Sequence, residues 1–265
     1  MRFAIMSDIH GNPIALDAVL EDVERRGGVD GYWVLGDIVA LGHDPVAVLE
    51  RLSALPNAQC VRGNTERYVC TGDRPPPSIE QAEADPARLL TLVEVAGTFA
   101  WTLGAVTQAG WLEWLSELPM EIETALPDGT RVLGVHAAPG RDDGIGLYSG
   151  LTEAEMAQLL GDCDANLVFV GHSHQAMDVT VNGTRVVNVG SVSNPVPPDL
   201  RADYVLLEAA PSGYQIEHCR VDHDRAAAVA ALRRMRHPGA RFIIEHLQGR
   251  YESSPRGDWR QGSTP

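Results

Sequence analysis

Phe3-Ala4-Ile5-Met6-Ser7-Asp8-Ile9-His10-Gly11-Asn12-Pro13 begins almost at the start of the chain, as an apolar run that stops at an aspartate and a histidine. Consecutive apolar residues without polar alternation suit a strand buried on both faces, so Phe3 to Met6 is a candidate parallel strand. The next residues have the marks of a helix start. Asn12 is a capping residue, and Pro13 brings a preset φ and lacks only an N–H that would have no helical partner there. Leu16, Val19, Leu20 and Val23 then share one face, and Gly27-Gly28 ends the helix. Strand, polar end and helix together predict an α/β chain with chemistry at its strand ends.

The same unit recurs along the chain. Tyr32-Trp33-Val34-Leu35 ends in Gly36-Asp37, and a helix begins at Asp44-Pro45 with Val48, Leu49 and Leu52 on one face. A weaker strand, Ala58 to Arg62, ends in Gly63-Asn64. Val132-Leu133-Gly134-Val135 ends in His136, and Leu167 to Val170 ends in Gly171-His172-Ser173-His174. Ligands of α/β sheets bind beyond the carboxyl ends of the strands. These ends bring Asp8, His10, Asp37, Asn64, His136, His172 and His174 to one edge, which makes two carboxylates, one carboxamide and four imidazoles. Such donors suit Mn²⁺, Fe²⁺ or Zn²⁺. They are too many for one tetrahedral zinc and enough for two ions if a carboxylate bridges. An Asp-x-His or a Gly-Asn alone is commonplace; the whole series, each member after an apolar run, is not coincidence.

Between these units the pattern changes. Pro75-Pro76-Pro77 reads as a stiff linker, and helical patterns near Pro86 to Leu103 and Val106 to Leu115 predict a helical insertion over about 72–118. Trp101, Trp111 and Trp114 within it read as local core. Met120 to Ala125 and Arg131 to Val135 form a hairpin pattern around Pro127-Asp128-Gly129. Thr152-Glu153-Ala154-Glu155 is a capping box with Leu151 and Met156 as its staple. Short strands are expected at Met177 to Val181, Arg185 to Val189, Tyr204 to Glu208 and Gln215 to Cys219, with Asn182-Gly183 as a hairpin turn. A helix comes next, from about Arg225 to Arg236. The organisation expected is one domain over 1–250 and a polar, disordered tail over 251–265.

Composition narrows the function classes. The chain has 265 residues, and all 21 basic residues are arginine. Without lysine there is no Walker A loop, Schiff base or lysine general base. A net charge of −15 makes long nucleic acids unsuitable partners. It leaves a small anionic substrate open, because bound cations reverse the field locally. Cys60, Cys70, Cys163 and Cys219 follow no zinc-finger or disulfide pattern. The N-terminus reaches Asp8 too early for a signal peptide. The apolar stretch around Thr91 to Val106 holds Glu94 and is short for a bilayer span, so a soluble cytoplasmic protein with no membrane partner is expected.

The ordered set Asp-x-His, Gly-Asp, Gly-Asn, His, Gly-His-x-His resembles the calcineurin-like metallophosphoesterase superfamily, nearest to its small bacterial and archaeal phosphodiesterase branch. The flanking Ser7-Asp8-Ile9-His10-Gly11-Asn12, Leu35-Gly36-Asp37-Ile38-Val39, Gly171-His172-Ser173-His174-Gln175 and Asn188-Val189-Gly190-Ser191-Val192 agree, and the likeness covers roughly Met1 to Cys219. It implies a four-layer αββα sandwich of two mixed sheets, with the strands after His174 fitting the second sheet. It implies that Asp8, His10, Asp37 and His174 bind one metal, and that Asp37 bridges to a second held by Asn64, His136 and His172. It also implies hydrolysis of a phosphate ester, most simply a phosphodiester, by in-line attack of a metal-bridging hydroxide. Phosphomonoesters, nucleotides or phosphoproteins are alternative substrates, and a non-catalytic metal-binding scaffold is an alternative role. One departure stands out. Many members have histidine after the Gly-Asn pair, as the acid that protonates the leaving group, and this chain has Thr65. A threonine hydroxyl is too weak an acid for that task. His43, in the loop after Asp37, is the candidate substitute, and Arg67 is a candidate for holding a substrate phosphate. His218, His223, His237 and His246 lie outside the motifs and read as structural or surface residues.

Overall fold

A computed structural model describes residues 1–250 of the chain. The first sheet is built from β1 (Arg2–Met6), β2 (Gly31–Val34), β3 (Ala58–Cys60), β9 (Ala202–Ala210) and β10 (Gly213–Val221), in the order β10-β9-β1-β2-β3. The second holds β4 (Glu121–Ala125), β5 (Arg131–Val135), β6 (Leu167–Val170), β7 (Met177–Val181) and β8 (Thr184–Asn188), in the order β4-β5-β6-β8-β7. β1, β2 and β3 are parallel neighbours, as are β5, β6 and β8. The outer strands of each sheet pair antiparallel.

Strand alternation assigns the layers, because neighbouring side chains point to opposite faces. Ala4 and Met6 face a core shared with Leu16 and Val19 of α1 (Pro13–Arg25) and with Val48 and Leu49 of α2 (Pro45–Ala54). Ile5, between them, points into the core between the sheets with Trp33, Phe169, Val187, Val205 and Leu207. On the far side of the second sheet, Leu133, Val135, Val168 and Val186 pack with Met156 and Leu160 of α7 (Glu153–Leu160). The order is therefore helix, sheet, sheet, helix, as the family resemblance implies. Both N-caps hold: Asn12 and Asp44 side chains accept from Ala15 N and Ala47 N. The Thr152 capping box is present, and Asn182 and Gly183 take φ +49° and +86°, the backbone of a tight hairpin turn.

Several expectations need correction. Only β7 and β8 join the second sheet; β9 and β10 cross to the first, where β9 pairs with β1. β3 ends at Cys60 rather than Arg62, because Arg62 N turns to Pro119 O in the connection to β4. The insertion contains α4 (Ile79–Ala84), a 3₁₀ turn at Pro86–Arg88, α5 (Leu89–Gln108) and α6 (Leu112–Ser116). Where a break near Gly104 is expected, α5 runs unbroken. A helical glycine costs about 1 kcal/mol, and burial of Phe99, Thr102 and Val106 outweighs it. This makes Pro86–Gln108 long and apolar enough, by length and composition, to cross a bilayer. One face of α5 is nonetheless packed on the protein, and Glu94 pairs with Arg241 at 2.7 Å. Trp111 and Trp114 meet edge to face at 5.7 Å against the first core. Three further helices are α3 (Asn64–Thr71), which follows β3 unexpectedly, α8 (Arg225–Arg234), and α9 (Ala240–Leu247), also unexpected. α8 and α9 pack on Ile14 and Leu41, beside the site. The polar tail lies outside the described residues.

Phe169 sits at the centre of the inter-sheet core, edge to face with Trp33 at 6.3 Å and without solvent exposure. Phe169→Ala is expected to lower the free energy of unfolding by about 3–5 kcal/mol, read from a urea melt. A loss under about 1 kcal/mol would mean that the two sheets do not depend on this contact.

Candidate metal centre

The parallel strands of both sheets release their chains at one end of the sandwich, and the exits of β1, β2 and β6 are sharp left-handed turns. Asp8, His10, Asp37, His172 and His174 all have φ between +50° and +64°. Non-glycine residues rarely adopt that conformation, and such strain persists only where the surroundings over-determine it. Here backbone hydrogen bonds lock the turns: Asp8 N to Gly36 O at 3.1 Å, His10 N to Asp37 O at 2.9 Å, and Gly171 N to His136 O at 2.8 Å. Two glycines are required by contact. A Cβ on Gly36, at φ +81°, would lie 2.6 Å from Gly63 N, and one on Gly171 would lie 1.9 Å from Ser7 Oγ.

Carbonyl groups set the ring orientations. His136 Nδ1 lies 2.6 Å from Leu35 O, and His174 Nδ1 lies 2.9 Å from Asn194 O. His172 is turned the other way, with Nε2 at 2.9 Å from Gly144 O. A carbonyl only accepts, so those nitrogens carry protons and the opposite ones face the site. In a first cluster His174 Nε2 stands 3.1 Å from Asp8 Oδ1 and 3.2 Å from His10 Nε2. In a second, His172 Nδ1 stands 2.9 Å from Asn64 Oδ1 and 3.2 Å from His136 Nε2. Asp37 lies between them, with Oδ2 3.8 Å from His10 Nε2 and Oδ1 3.4 Å from His136 Nε2. The structure thus brings all seven expected ligands together. Acceptor atoms of Asp8, His10 and His174 lie within 4.8 Å of one another, as do those of Asp8, Asp37 and His136. His10, whose Nδ1 meets no carbonyl, can donate from Nε2 to His174 Nε2. His136 and His172 both carry a proton on the carbonyl-bound nitrogen, so as neutral rings they would set lone pair against lone pair and need a positive charge between them. A divalent cation meets that need, and the residues fit one.

The titration pattern has the same origin. Burial favours neutral carboxyls, yet His174 beside Asp8 outweighs it and holds Asp8 well below the usual carboxylate range. Asp37 goes the other way, to about 7, through burial and through Glu66 and Asp8 nearby. Burial opposes charge on His136 and His174, but Asp37 and Asp8 respectively keep both above ordinary histidine. Burial and the neighbouring ring push His10 down to about 3 and His172 to about 4. Each facing pair therefore splits into one ring that takes a proton and one that refuses it.

Glu66, which sequence reasoning did not single out, fixes the bridge between the clusters. It has no exposure, and its carboxylate accepts from Asp37 N, Ile38 N, Val39 N and Gly63 N at 2.9–3.0 Å. Its signal was its place three residues after Gly63, where an acidic side chain can reach back to the helix's first free amides. Thr65 N donates to Asp37 Oδ1 at 2.9 Å, and the Thr65 hydroxyl donates to Val39 O at 3.1 Å. Asn188 supports the His172 turn through Nδ2, which donates to Gly171 O at 2.8 Å.

The remaining expected residues are placed differently. Arg67 has its guanidinium engaged by Asp73, Asp142 and Asp143 at 2.7–3.1 Å. His43 is 7% exposed; burial pushes it below ordinary histidine, with Asp44 and Arg234 also acting on it. Gly42 before it packs on the His10–Gly11 backbone. His246 of α9 is nearer the clusters than its sequence position suggests. It acts electrostatically on His10, while burial, with His174 contributing, holds it at about 4.

The chain matches the family model of the calcineurin-like phosphoesterase superfamily domain over residues 1–211. An uncharacterized protein of Methanocaldococcus jannaschii is 29% identical over 252 residues, spanning 89% of this chain and 93% of that one. A metallophosphoesterase from Sphaerobacter thermophilus has a similar structure, with TM-score 0.71 and 27% identity over 95% of this chain and 99% of its own. A hypothetical protein from Pyrococcus horikoshii shares the fold, with TM-score 0.75 and 20% identity over 93% and 97%. The family match runs from β1 through β9 and contains all seven candidate ligands, and the chain belongs to the calcineurin-like phosphoesterase superfamily.

Proposed function

We propose that the chain is a dinuclear metal-dependent phosphodiesterase acting on small phosphate esters. The observation that carries this reading is the two clusters of imidazole, carboxylate and amide groups on either side of Asp37, one of which sets His136 and His172 lone pair to lone pair at 3.2 Å unless a cation or proton lies between them. Asp8, His10 and His174 would hold one ion, and Asn64, His136 and His172 the other, with Asp37 shared. Mn²⁺, Fe²⁺ and Zn²⁺ suit this mixture of imidazole, carboxylate and amide oxygen. Two such ions supply Lewis-acid activation of water and of a phosphoryl oxygen. The protein's part is to hold the ligands rigid: Glu66 secures the Asp37 turn, and carbonyls fix the ring of every second-cluster histidine. The net charge of −15 favours a small substrate over a polyanion.

The test is hydrolysis of bis-p-nitrophenyl phosphate against p-nitrophenyl phosphate, by chelated protein reloaded with Mn²⁺, Fe²⁺, Zn²⁺ or Mg²⁺. Diester turnover above monoester turnover is expected, and Asp37→Ala should bind neither ion tightly and fall to the blank rate. Retention of two ions by that variant would refute the assignment. Absence of turnover with two tightly bound ions would favour a non-catalytic scaffold instead.

Thr65 adds a constraint on substrate. With its hydroxyl donating to Val39 O, no acid stands at that position to protonate a departing alkoxide. The rate is therefore expected to fall steeply as leaving-group pKa rises, since a missing general acid removes ~10²–10⁴-fold on poor leaving groups. A flat plot would exclude this. We assign His43 the substitute role, so His43→Ala should impair alkyl esters far more than nitrophenyl esters; equal losses would remove it from that role.

Metal loading should also release protons. In the metal-free protein Asp37 is raised to about 7 and His136 and His174 lie above ordinary histidine, so below these values each carries a proton that a cation displaces. Metal affinity therefore drops as pH falls through those values. Calorimetry in buffers of different ionisation enthalpy should find protons released on metal binding at pH 6.5, fading as pH rises. No release at pH 6.5 would contradict the facing-ring geometry.

A further inference from the structure

One helix grips His172 at both ring nitrogens. On one side, Asn64 at the start of α3 lies 2.9 Å from Nδ1. On the other, His172 Nε2 donates to Gly144 O at 2.9 Å, and Gly144 is held by a relay that returns to α3. Asp143 Oδ1 accepts from Gly144 N at 2.7 Å. Asp143 Oδ2 accepts from an Arg67 guanidinium nitrogen at 2.7 Å and from Tyr68 Oη at 2.5 Å. Arg67 Nε also donates to Asp142, at 3.1 Å, and Asp142 receives Arg62 Nε at 2.9 Å. Backbone hydrogen bonds pin this loop at Arg141 and Leu147. Between those points side chains hold it, and glycines at 144 and 146 take φ +99° and +66°.

We infer that Arg67 is a positioning residue for the second metal cluster: by clamping Asp142 and Asp143 it holds the Gly144 carbonyl against His172 and so aims Nδ1 at the position beside Asn64. The inference rests on the reading that Asn64, His136 and His172 hold an ion. The chemistry calls for arginine. Its planar fork offers five donors in fixed directions and here serves three carboxylates at once, Asp73 included at 2.8 Å. With its three nitrogens so engaged, the guanidinium braces the loop rather than reaching for a substrate phosphate. Acting through the hydrogen-bond partner of a ligand, Arg67 affects how well the ring is aimed, and such outer contacts typically alter metal affinity by about 10- to 100-fold.

The experiment compares the full chain with Arg67→Gln, Arg67→Lys and Arg131→Gln. Arg131 is a charge-matched control at the opposite end of β5 from His136, paired with an exposed Asp164. Two readouts are taken: stepwise titration of chelated protein with Mn²⁺, and amide hydrogen exchange over residues 142–146. Arg67→Gln should weaken the second ion by about 10- to 100-fold, leave the first unchanged, and speed exchange in that loop. Arg67→Lys should recover only part of the loss, since a point charge reaches fewer of the three carboxylates. Arg131→Gln should behave as the unaltered protein. Unchanged second-ion affinity with unchanged exchange overturns the inference, as does equal weakening of both ions. If the unaltered protein binds only one ion, the dinuclear reading fails by itself. Loop exchange in Arg67→Gln then still decides the brace: faster exchange upholds it and unchanged exchange rejects it.

Discussion

The Glu66 carboxylate, buried without exposure, accepts four backbone amides and so determines where Asp37 stands. A buried charge is costly unless every acceptor site finds a donor, and charge-assisted hydrogen bonds of this kind are the strong ones. Three of those amides belong to the turn after β2 and the fourth to the turn after β3, so one side chain joins two strand exits. The turn it holds is left-handed, with Gly36 at φ +81° and Asp37 at +51°. Asp37 is also the group between the two clusters, so an error in its placement would pass to both.

A cost is built into the same region. Five candidate ligands occupy left-handed backbone, and two pairs of imidazoles face each other at 3.2 Å. The left-handed backbone costs energy in the metal-free protein, and the sandwich beneath sustains it. The core between the sheets is continuous from Ile5 and Leu35 to Phe169 and Val189, directly under the turns that carry the ligands. Placing donors on strand exits above a packed core restricts their motion before any ion arrives. That preorganisation is the physical reason for a site on strand ends rather than on the long insertion.

Much of this was legible because each ligand directly follows an apolar run, so a local pattern and a chemical residue type coincide. The illegible features depended on distant partners. Alternation identifies β9 and β10 as strands but carries no information on which sheet receives them; pairing with β1 decides that. α3 was hidden because its first residue is preceded by Gly63, with no side-chain cap, and because Asn64-Thr65-Glu66-Arg67 is polar throughout. α9 begins after Pro238-Gly239 with equally little signal, and only its packing on α8 and on Ile14 and Leu41 makes it a helix. The break expected at Gly104 failed for the opposite reason: a local cost was visible, while the burial that offsets it was not. The partners of Arg67 were not legible because Asp142 and Asp143 are seventy-five and seventy-six residues away.

α3 explains how one short segment serves so many demands. Successive residues on a helix are rotated by about 100°, so neighbours in sequence point in different directions. Asn64 faces the second cluster, Thr65 turns its hydroxyl to Val39 O, Glu66 reaches back to the β2 exit, and Arg67 reaches out to the Asp142–Asp143 loop. The helix start adds its own field: free amides of the first turn, Thr65 N among them at 2.9 Å from Asp37 Oδ1, favour negative charge there. That field opposes the rise in Asp37's proton affinity caused by burial and by Glu66. Substituting threonine for the family's histidine therefore alters one direction of this fan and leaves the other three intact. Under the proposed reading, metal-holding geometry and proton donation are separable on this helix, because Asn64 and Glu66 keep their directions whatever residue stands at 65.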